Sequence, residues 1–305
     1  MPSMSARLIN LALPLLGIKA FFSQPEKMPE RLRKARARKP ERPRAKWHRI
    51  FEITEETSRG YPVVTIKPKG TAAHDAPHLL YLHGGGYVLD VARAHFETVC
   101  RLCQRLGASA TVPIYPLAPE HKAPEVLAAM QALYHELCSQ HGAANLTVMG
   151  DSAGGGLTLA LAQMLKAESA PLPASLVLWS PLLDATATAD GQTQIEPRDR
   201  MLAQVGLKAT AAAYAGGLPL DDPRISPLFG DVSGLPQMAI FSGTNDILLV
   251  DGQRLAARLE ALGQGNHEYH EYPDMFHVWM LVPVPEGKQV LERTARFIER
   301  VRRPV

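Results

Sequence analysis

Leu146-Thr147-Val148-Met149-Gly150-Asp151-Ser152-Ala153-Gly154 is an apolar run of strand length leading into Gly-x-Ser-x-Gly, and a small-residue stretch with helical character follows it. A serine on so short a strand-to-helix connection sits on a strained turn, where neighbouring side chains would collide and flanking glycines let the two elements approach. The turn presents the Ser152 hydroxyl at the carboxyl end of the strand and aims the amide of Ala153 at whatever that oxygen attacks. Taken alone, the pentapeptide also fits a plain glycine-rich turn.

His83-Gly84-Gly85-Gly86 supplies context, because it follows the apolar run Leu79-Leu80-Tyr81-Leu82 upstream of the serine strand. Three glycines free a backbone to turn its N–H groups inward. Gly84, Gly85 and Gly86, with Ala153, are the expected donors to an oxygen that becomes negative when a serine adds to a carbonyl. His83, Tyr87 and Asp151 flank these motifs and are the expected substrate-side residues.

Together these residues resemble the hormone-sensitive-lipase-like branch of the α/β-hydrolases, whose bacterial members are carboxylesterases carrying HGGG and GDSAGG. Further matches are Tyr115-Pro116-Leu117-Ala118-Pro119-Glu120-His121, Ser226-Pro227-Leu228-Phe229 and Asp274-Met275-Phe276-His277. The resemblance runs from residue 60 or so to the C-terminus and leaves the first several dozen residues outside it. It implies an α/β fold with a mostly parallel eight-stranded sheet, flanking helices and a helical cap, acting on short- to medium-chain esters. One departure is Pro116, where relatives commonly carry an arginine, which leaves any ion pair at that place in doubt.

A serine hydroxyl is a poor nucleophile until a base takes its proton, so a carboxylate and then a histidine must follow in the chain. Gln237-Met238-Ala239-Ile240-Phe241 reads as a buried strand, and Asp246 lies on the segment leaving it, where the resembled fold puts its acid. Asp251 is the rival; it precedes the helical pattern Leu255 to Leu259 and reads better as a helix N-cap. Of eleven histidines, His277 follows the last predicted strand, before the C-terminal helix, and is the expected base. His267 and His270 belong to that strand or its entry, as partly exposed positions on a pleated segment.

Length and composition, 305 residues with 46% hydrophobic and 21% charged, describe a globular chain with ample core, and alternating strands and helices imply one α/β unit. Strands are expected near 48–54, 61–67, 78–82, 109–114, 145–149, 175–180, 237–242 and 267–272, and helices near 95–106, 124–140, 153–168, 251–262 and 286–302. Residues 46–305 are the expected catalytic unit and 1–45 an N-terminal arm. The stretch 184–222 is too long for a simple connection and carries a helical pattern over Met201–Leu207; in relatives such an insertion joins the N-terminal segment as a cap over the serine.

Three cysteines, Cys100, Cys103 and Cys138, form no framework and suggest a reducing compartment. Cys100 and Cys103 spell CxxC, but on a predicted helix positions i and i+3 share an apolar face, so core packing is expected rather than metal or redox use. No metal or cofactor is expected.

Charge is uneven: residues 31–49 hold ten Lys or Arg against Glu41 alone, leaving 23 basic and 29 acidic side chains elsewhere. Before them, Leu8 to Phe22 is apolar but broken by Pro14 and Lys19, too short to span a bilayer and poorly formed as a secretory signal, so cytoplasmic residence is the expectation. The apolar part is expected to cover the active-site mouth with its charges solvated; weak contact of residues 8–49 with an anionic membrane is the alternative. Nucleic acid is not an expected partner, since no stacking aromatics or binding motif accompany the charge. The resemblance also implies a homodimer.

The expected activity is ester hydrolysis through an acyl-enzyme, with Ser152 as nucleophile, His277 as base and Asp246 orienting it. A lactone hydrolase using the same three residues is one alternative. A non-catalytic small-molecule receptor is another, and retention of all three residues argues against it.

Overall fold

A computed structural model describes residues 2–70, 76–265 and 267–302. Eight strands, β1 Phe51–Glu56, β2 Val63–Pro68, β3 His78–Leu82, β4 Ser109–Pro113, β5 Leu146–Asp151, β6 Ser175–Trp179, β7 Gln237–Asn245 and β8 Glu268–Phe276, form one sheet in the order β1-β2-β4-β3-β5-β6-β7-β8. The β1–β2 and β2–β4 pairs are antiparallel and all others parallel. The central strands β3, β5 and β6 are buried at every position, as strands covered by helices on both faces must be, which is why they read as largely apolar without an alternating polar face.

Ten α-helices accompany the sheet among the described residues: α1 Met4–Ala12, α2 Ile18–Ser23, α3 Met28–Arg36, α4 Arg93–Leu106, α5 Ala123–His141, α6 Ala153–Ala167, α7 Asp190–Ile195, α8 Gln204–Ala215, α9 Leu249–Ala261 and α10 Pro285–Arg302. Cys100 and Cys103 lie buried in α4 beside Phe96, Val99 and Leu102. Because β4 and β5 lie on opposite sides of β3, the connections change direction between β3 and β5. Ligands of open α/β sheets bind in the crevice that such a reversal leaves at the strands' carboxyl ends.

The insertion differs from expectation in one place. The helix foreseen over Met201–Leu207 starts at Gln204, because Asp199 Oδ1 accepts the Met201 and Leu202 amides at 2.7 and 2.8 Å and holds them in a turn. The Ser226 hydroxyl ties the two ends of the insertion together, accepting the Ala185 amide at 2.7 Å and donating to the Leu220 carbonyl at 2.5 Å.

The N-terminal arm lies on this insertion: α2 packs on α8 so closely that a Cβ at Gly206 would strike the Phe22 backbone. Lys19 Nζ donates to the Glu196 and Leu202 carbonyls. Within the arm, Ala6, Leu13, Phe21 and Phe22 are buried, whereas Leu8, Leu11, Leu15 and Leu16 face solvent, so the apolar run is a cover on one side only. Near Pro116 the arm supplies a guanidinium: Arg36 donates to Glu120 and to the Ala118 and Val88 carbonyls.

Candidate active site

Ser152 leaves β5 with φ 52° and ψ −123°, a conformation that is strained for a residue with a side chain. Two hydrogen bonds hold it there: Ser152 N–H donates to the Trp179 carbonyl at 2.8 Å, and the Ser152 carbonyl accepts Leu182 N–H at 3.0 Å. A Cβ at Gly154 would be driven into the Leu82 carbonyl, so glycine lets α6 rise directly against the end of β3.

Strands β7 and β8 each run past their expected ends, and their last paired residues are Asn245 and Phe276. The next residue on each strand is therefore brought beside the other. His277 Nδ1 lies 2.8 Å from Asp246 Oδ2, and His277 Nε2 lies 2.9 Å from Ser152 Oγ. Since a carboxylate only accepts, Nδ1 carries the proton and Nε2 presents its lone pair to the serine hydroxyl. Asp246 Oδ1 accepts the Leu248 amide at 2.9 Å, which fixes the carboxylate plane. Asp246 is fully buried, and Ser152 and His277 nearly so. Burial disfavours a charged ring at His277, but the charge and hydrogen bond of Asp246 outweigh it and raise the imidazole above its ordinary 6.5, with Asp199 and Asp151 adding to the effect.

Asp251, the rival acid, does not approach the histidine, nor is it an N-cap. It lies within the first turn of α9 and is fully buried, accepting the Leu183 and Asp184 amides at 2.8 and 2.9 Å and Gln192 Nε2 at 3.2 Å. Desolvation raises its carboxyl to about 7 despite those donors. It fastens the β6 exit to α7 and α9.

Four other expected site residues take different places. The Gly84 amide donates to Asp151 Oδ1 at 2.9 Å, so it is engaged and drops out of the expected oxyanion donors. Asp151 is buried with its oxygens turned to Gly84, the Tyr81 hydroxyl at 2.5 Å and His95 Nε2 at 3.4 Å. Burial pushes its carboxyl up, but His95, Tyr81 and Gly84 together hold it below the usual range. His83 is fully buried, stacks on Tyr115 at 4.2 Å and donates from Nδ1 to the Gly84 carbonyl at 2.7 Å; burial and the nearby His95 push its pKa down to about 3, so the ring stays neutral. Tyr87 is buried and stacks on Tyr214 of α8 at 3.8 Å. His83, Tyr87 and Asp151 thus form the floor and side of the glycine loop.

Gly85 and Gly86 have φ of 116° and 62°, values open to glycine but not to most other residues, and they carry the loop over that floor. Ala153 is the first residue of α6, so its N–H has no intrahelical acceptor and stands at the positive end of the helix dipole.

One residue of the site was not foreseen. Asp199 sits in the insertion, is almost fully buried, and its Oδ2 accepts the amide of Ile247, the residue after Asp246, at 2.9 Å. Burial and the neighbouring Asp246 raise its carboxyl to about 6. A lone aspartate in a loop, 48 residues from its partner, leaves no periodic or motif signal. Among the described residues, no group of three or more His, Cys, Asp or Glu side chains is placed to hold a metal ion.

A serine on a tight turn at the switch point of a mostly parallel eight-stranded sheet, with an acid and a histidine delivered by the next strand ends, is the α/β-hydrolase arrangement. The family described as alpha/beta hydrolase fold (Abhydrolase_3) matches residues 79–281. The chain is 34% identical over 228 residues to a triacylglycerol lipase of Mycobacterium tuberculosis, covering 74% of this chain and 46% of that lipase, so it spans about half that relative's length. It is 34% identical over 231 residues to an acetyl-hydrolase of Streptomyces hygroscopicus, covering 74% of this chain and 77% of that enzyme. An esterase structure from the bacterial hormone-sensitive lipase family superposes with a TM-score of 0.75 at 31% identity, covering 89% of this chain and 88% of the other. The chain belongs to the α/β-hydrolase family, in the hormone-sensitive-lipase-like branch of ester-hydrolysing enzymes.

Proposed function

We propose that this enzyme is a serine carboxylesterase that cleaves short- to medium-chain esters through an acyl-enzyme. The observation carrying the reading is the continuous relay from Asp246 Oδ2 through His277 Nδ1 and Nε2 to Ser152 Oγ, with contacts of 2.8 and 2.9 Å. Ser152 Oγ attacks the ester carbonyl as its proton passes to His277 Nε2, and Asp246 stabilises the imidazolium so formed. The negative tetrahedral oxygen is held by the amides of Gly85, Gly86 and Ala153; loss of one such donor raises a barrier by about 3–4 kcal/mol. The imidazolium then protonates the departing alcohol. Water repeats the attack on the acyl-enzyme, with His277 again as base, and Ser152 leaves with its proton restored.

Helix α2 of the arm, with Phe21 and Phe22 turned inward, and the 184–222 insertion roof the serine and limit acyl length in this reading, which the packing of α2 on α8 supports. The acetyl-hydrolase relative favours the short end of the range. A panel of p-nitrophenyl esters from acetate to palmitate, run beside lactones and anilides, tests it: turnover should be highest on short esters. Faster lactone opening than ester cleavage would transfer the same chemistry to a lactonase.

A further inference from the structure

Residues 1–25 contain no acidic side chain, and residues 1–49 hold 13 Lys or Arg against three Glu, leaving 20 basic and 27 acidic side chains in the rest of the chain. Within this cationic arm, α1 offers solvent an apolar face: Met4, Leu8 and Leu11 recur at i, i+4 and i+7, and Leu15 and Leu16 continue the segment in the turn that follows. These five are between 62% and 88% exposed. Among the described residues nine large apolar side chains are exposed, and five of them fall in this one short segment. Scattered exposed leucines need no explanation, but a cluster does.

The segment is tethered at both of its ends. Before it, Ser3 donates from its amide and hydroxyl to Glu286 at 2.5 and 2.9 Å, at the start of α10, nine residues beyond His277. After it, Lys19 holds the Glu196 and Leu202 carbonyls on either side of Asp199. The inward residues Ala6 and Leu13 anchor the segment to the body.

We propose that residues 4–16 are a docking ridge that lays this enzyme on an anionic lipid surface, leucines in the headgroup boundary and arm cations over the charged headgroups, with the active-site rim toward the lipid. Lys27, Arg33, Arg38, Lys39 and Arg49 are exposed and form no ion pair among the described residues, so they remain available to headgroups. A second copy of this chain is the poorer occupant, since pairing the ridges would bring two arms of like charge together. No helix among the described residues is long and apolar enough to cross a membrane, so the contact is interfacial.

The test is co-sedimentation of the full chain with phosphatidylcholine vesicles and with phosphatidylcholine/phosphatidylglycerol vesicles, at low and high salt. The wild type should bind the anionic vesicles, at least about tenfold more weakly at high salt or without phosphatidylglycerol. The triple variant Leu8→Ser/Leu11→Ser/Leu15→Ser should lose binding by on the order of a hundredfold while its turnover of p-nitrophenyl acetate is unchanged. Arg38→Glu/Lys39→Glu alters only exposed cations and should weaken anionic-vesicle binding, which decides the matter should the triple variant misfold. Ser152→Ala should bind as the wild type does, so failure of docking is separable from failure of the catalytic reading. No vesicle binding by the wild type, or equal binding by wild type and both variants, overturns the proposal. So does a wild-type dimer in sedimentation velocity that the leucine variant dissociates, with vesicles bound by neither.

Discussion

Asp199 Oδ2 accepts the backbone amide of Ile247 at 2.9 Å, so a carboxylate carried by the insertion holds the chain immediately after Asp246. Two buried carboxylates thus stand near one imidazole, one bonded to it and the other fixing the loop of the first. Replacing Asp199 by Asn keeps one accepting oxygen, turns a donating amide NH2 toward a backbone N–H, and removes a charge that raises the His277 pKa. Asp199→Asn should lower kcat by about tenfold through misplacement of Asp246, and the acid limb of kcat/KM should move to lower pH. A pH–rate profile of the variant with its limb unmoved would assign Asp199 a purely structural role.

Ser152→Ala and His277→Ala should each reduce turnover by about 10⁶, and Asp246→Asn by about 10⁴, by analogy with serine protease triads. Wild-type ester hydrolysis by Ser152→Ala in a p-nitrophenyl acetate assay would refute the assignment.

The base must be neutral to accept the serine proton, and the surroundings of His277 raise its pKa above the ordinary 6.5. Activity should therefore decline as pH falls through a value above about 6.5, the unperturbed imidazole value. A rate constant that stays flat down to pH values well below that would exclude an imidazole base.

Asp251 carries a carboxyl raised from 3.8 to about 7. The folded state therefore holds this proton more tightly than the unfolded chain does, so the group's contribution is fully present below the unfolded value and is lost as pH rises through the folded one. Asp251→Asn cannot titrate. The melting temperature of the wild type, relative to this variant, should fall as pH rises from about 4 to about 7, and calorimetry at two pH values inside and above that window measures it.

Gly154→Ala would push a methyl group into the Leu82 carbonyl at the junction of β3, β5 and α6. Neither backbone can retreat in a close-packed interior, so stability should drop by about 3 kcal/mol or more and esterase activity should vanish with it. Denaturant unfolding with an unchanged midpoint would show that the turn has more room than its contacts imply.

The parts of the molecule readable from sequence are those written in local pattern. Strand β3 occupies the expected 78–82 because a run of buried apolar residues bounded by Pro77 and the glycine loop admits little else. Ser152, Asp246 and His277 could be picked out because each directly follows a strand and stands in a fixed chain order. Patterns fail where a polar residue answers a distant partner. The helix expected from Met201 begins late because Asp199 takes the amides of Met201 and Leu202, and Asp251 is a buried staple and no cap because Leu183 and Asp184 reach it from the end of β6. The glycine run suggests three free amides, but Asp151, 67 residues away, holds that of Gly84.

By itself, the order of apolar runs and glycines determined the main strands and the turn under Ser152, because those follow from periodicity and backbone sterics over a few residues, and the motifs' resemblance to a family supplied the sheet and the candidate acid and base. Only the tertiary structure decided that a second carboxylate, Asp199, stands behind the Asp246–His277 pair, which loop amides are already engaged, and which side of the N-terminal apolar segment is left to solvent. Hydrogen bonds and burial are settled by whatever arrives in space, and the chain's own sequence neighbours do not report on that.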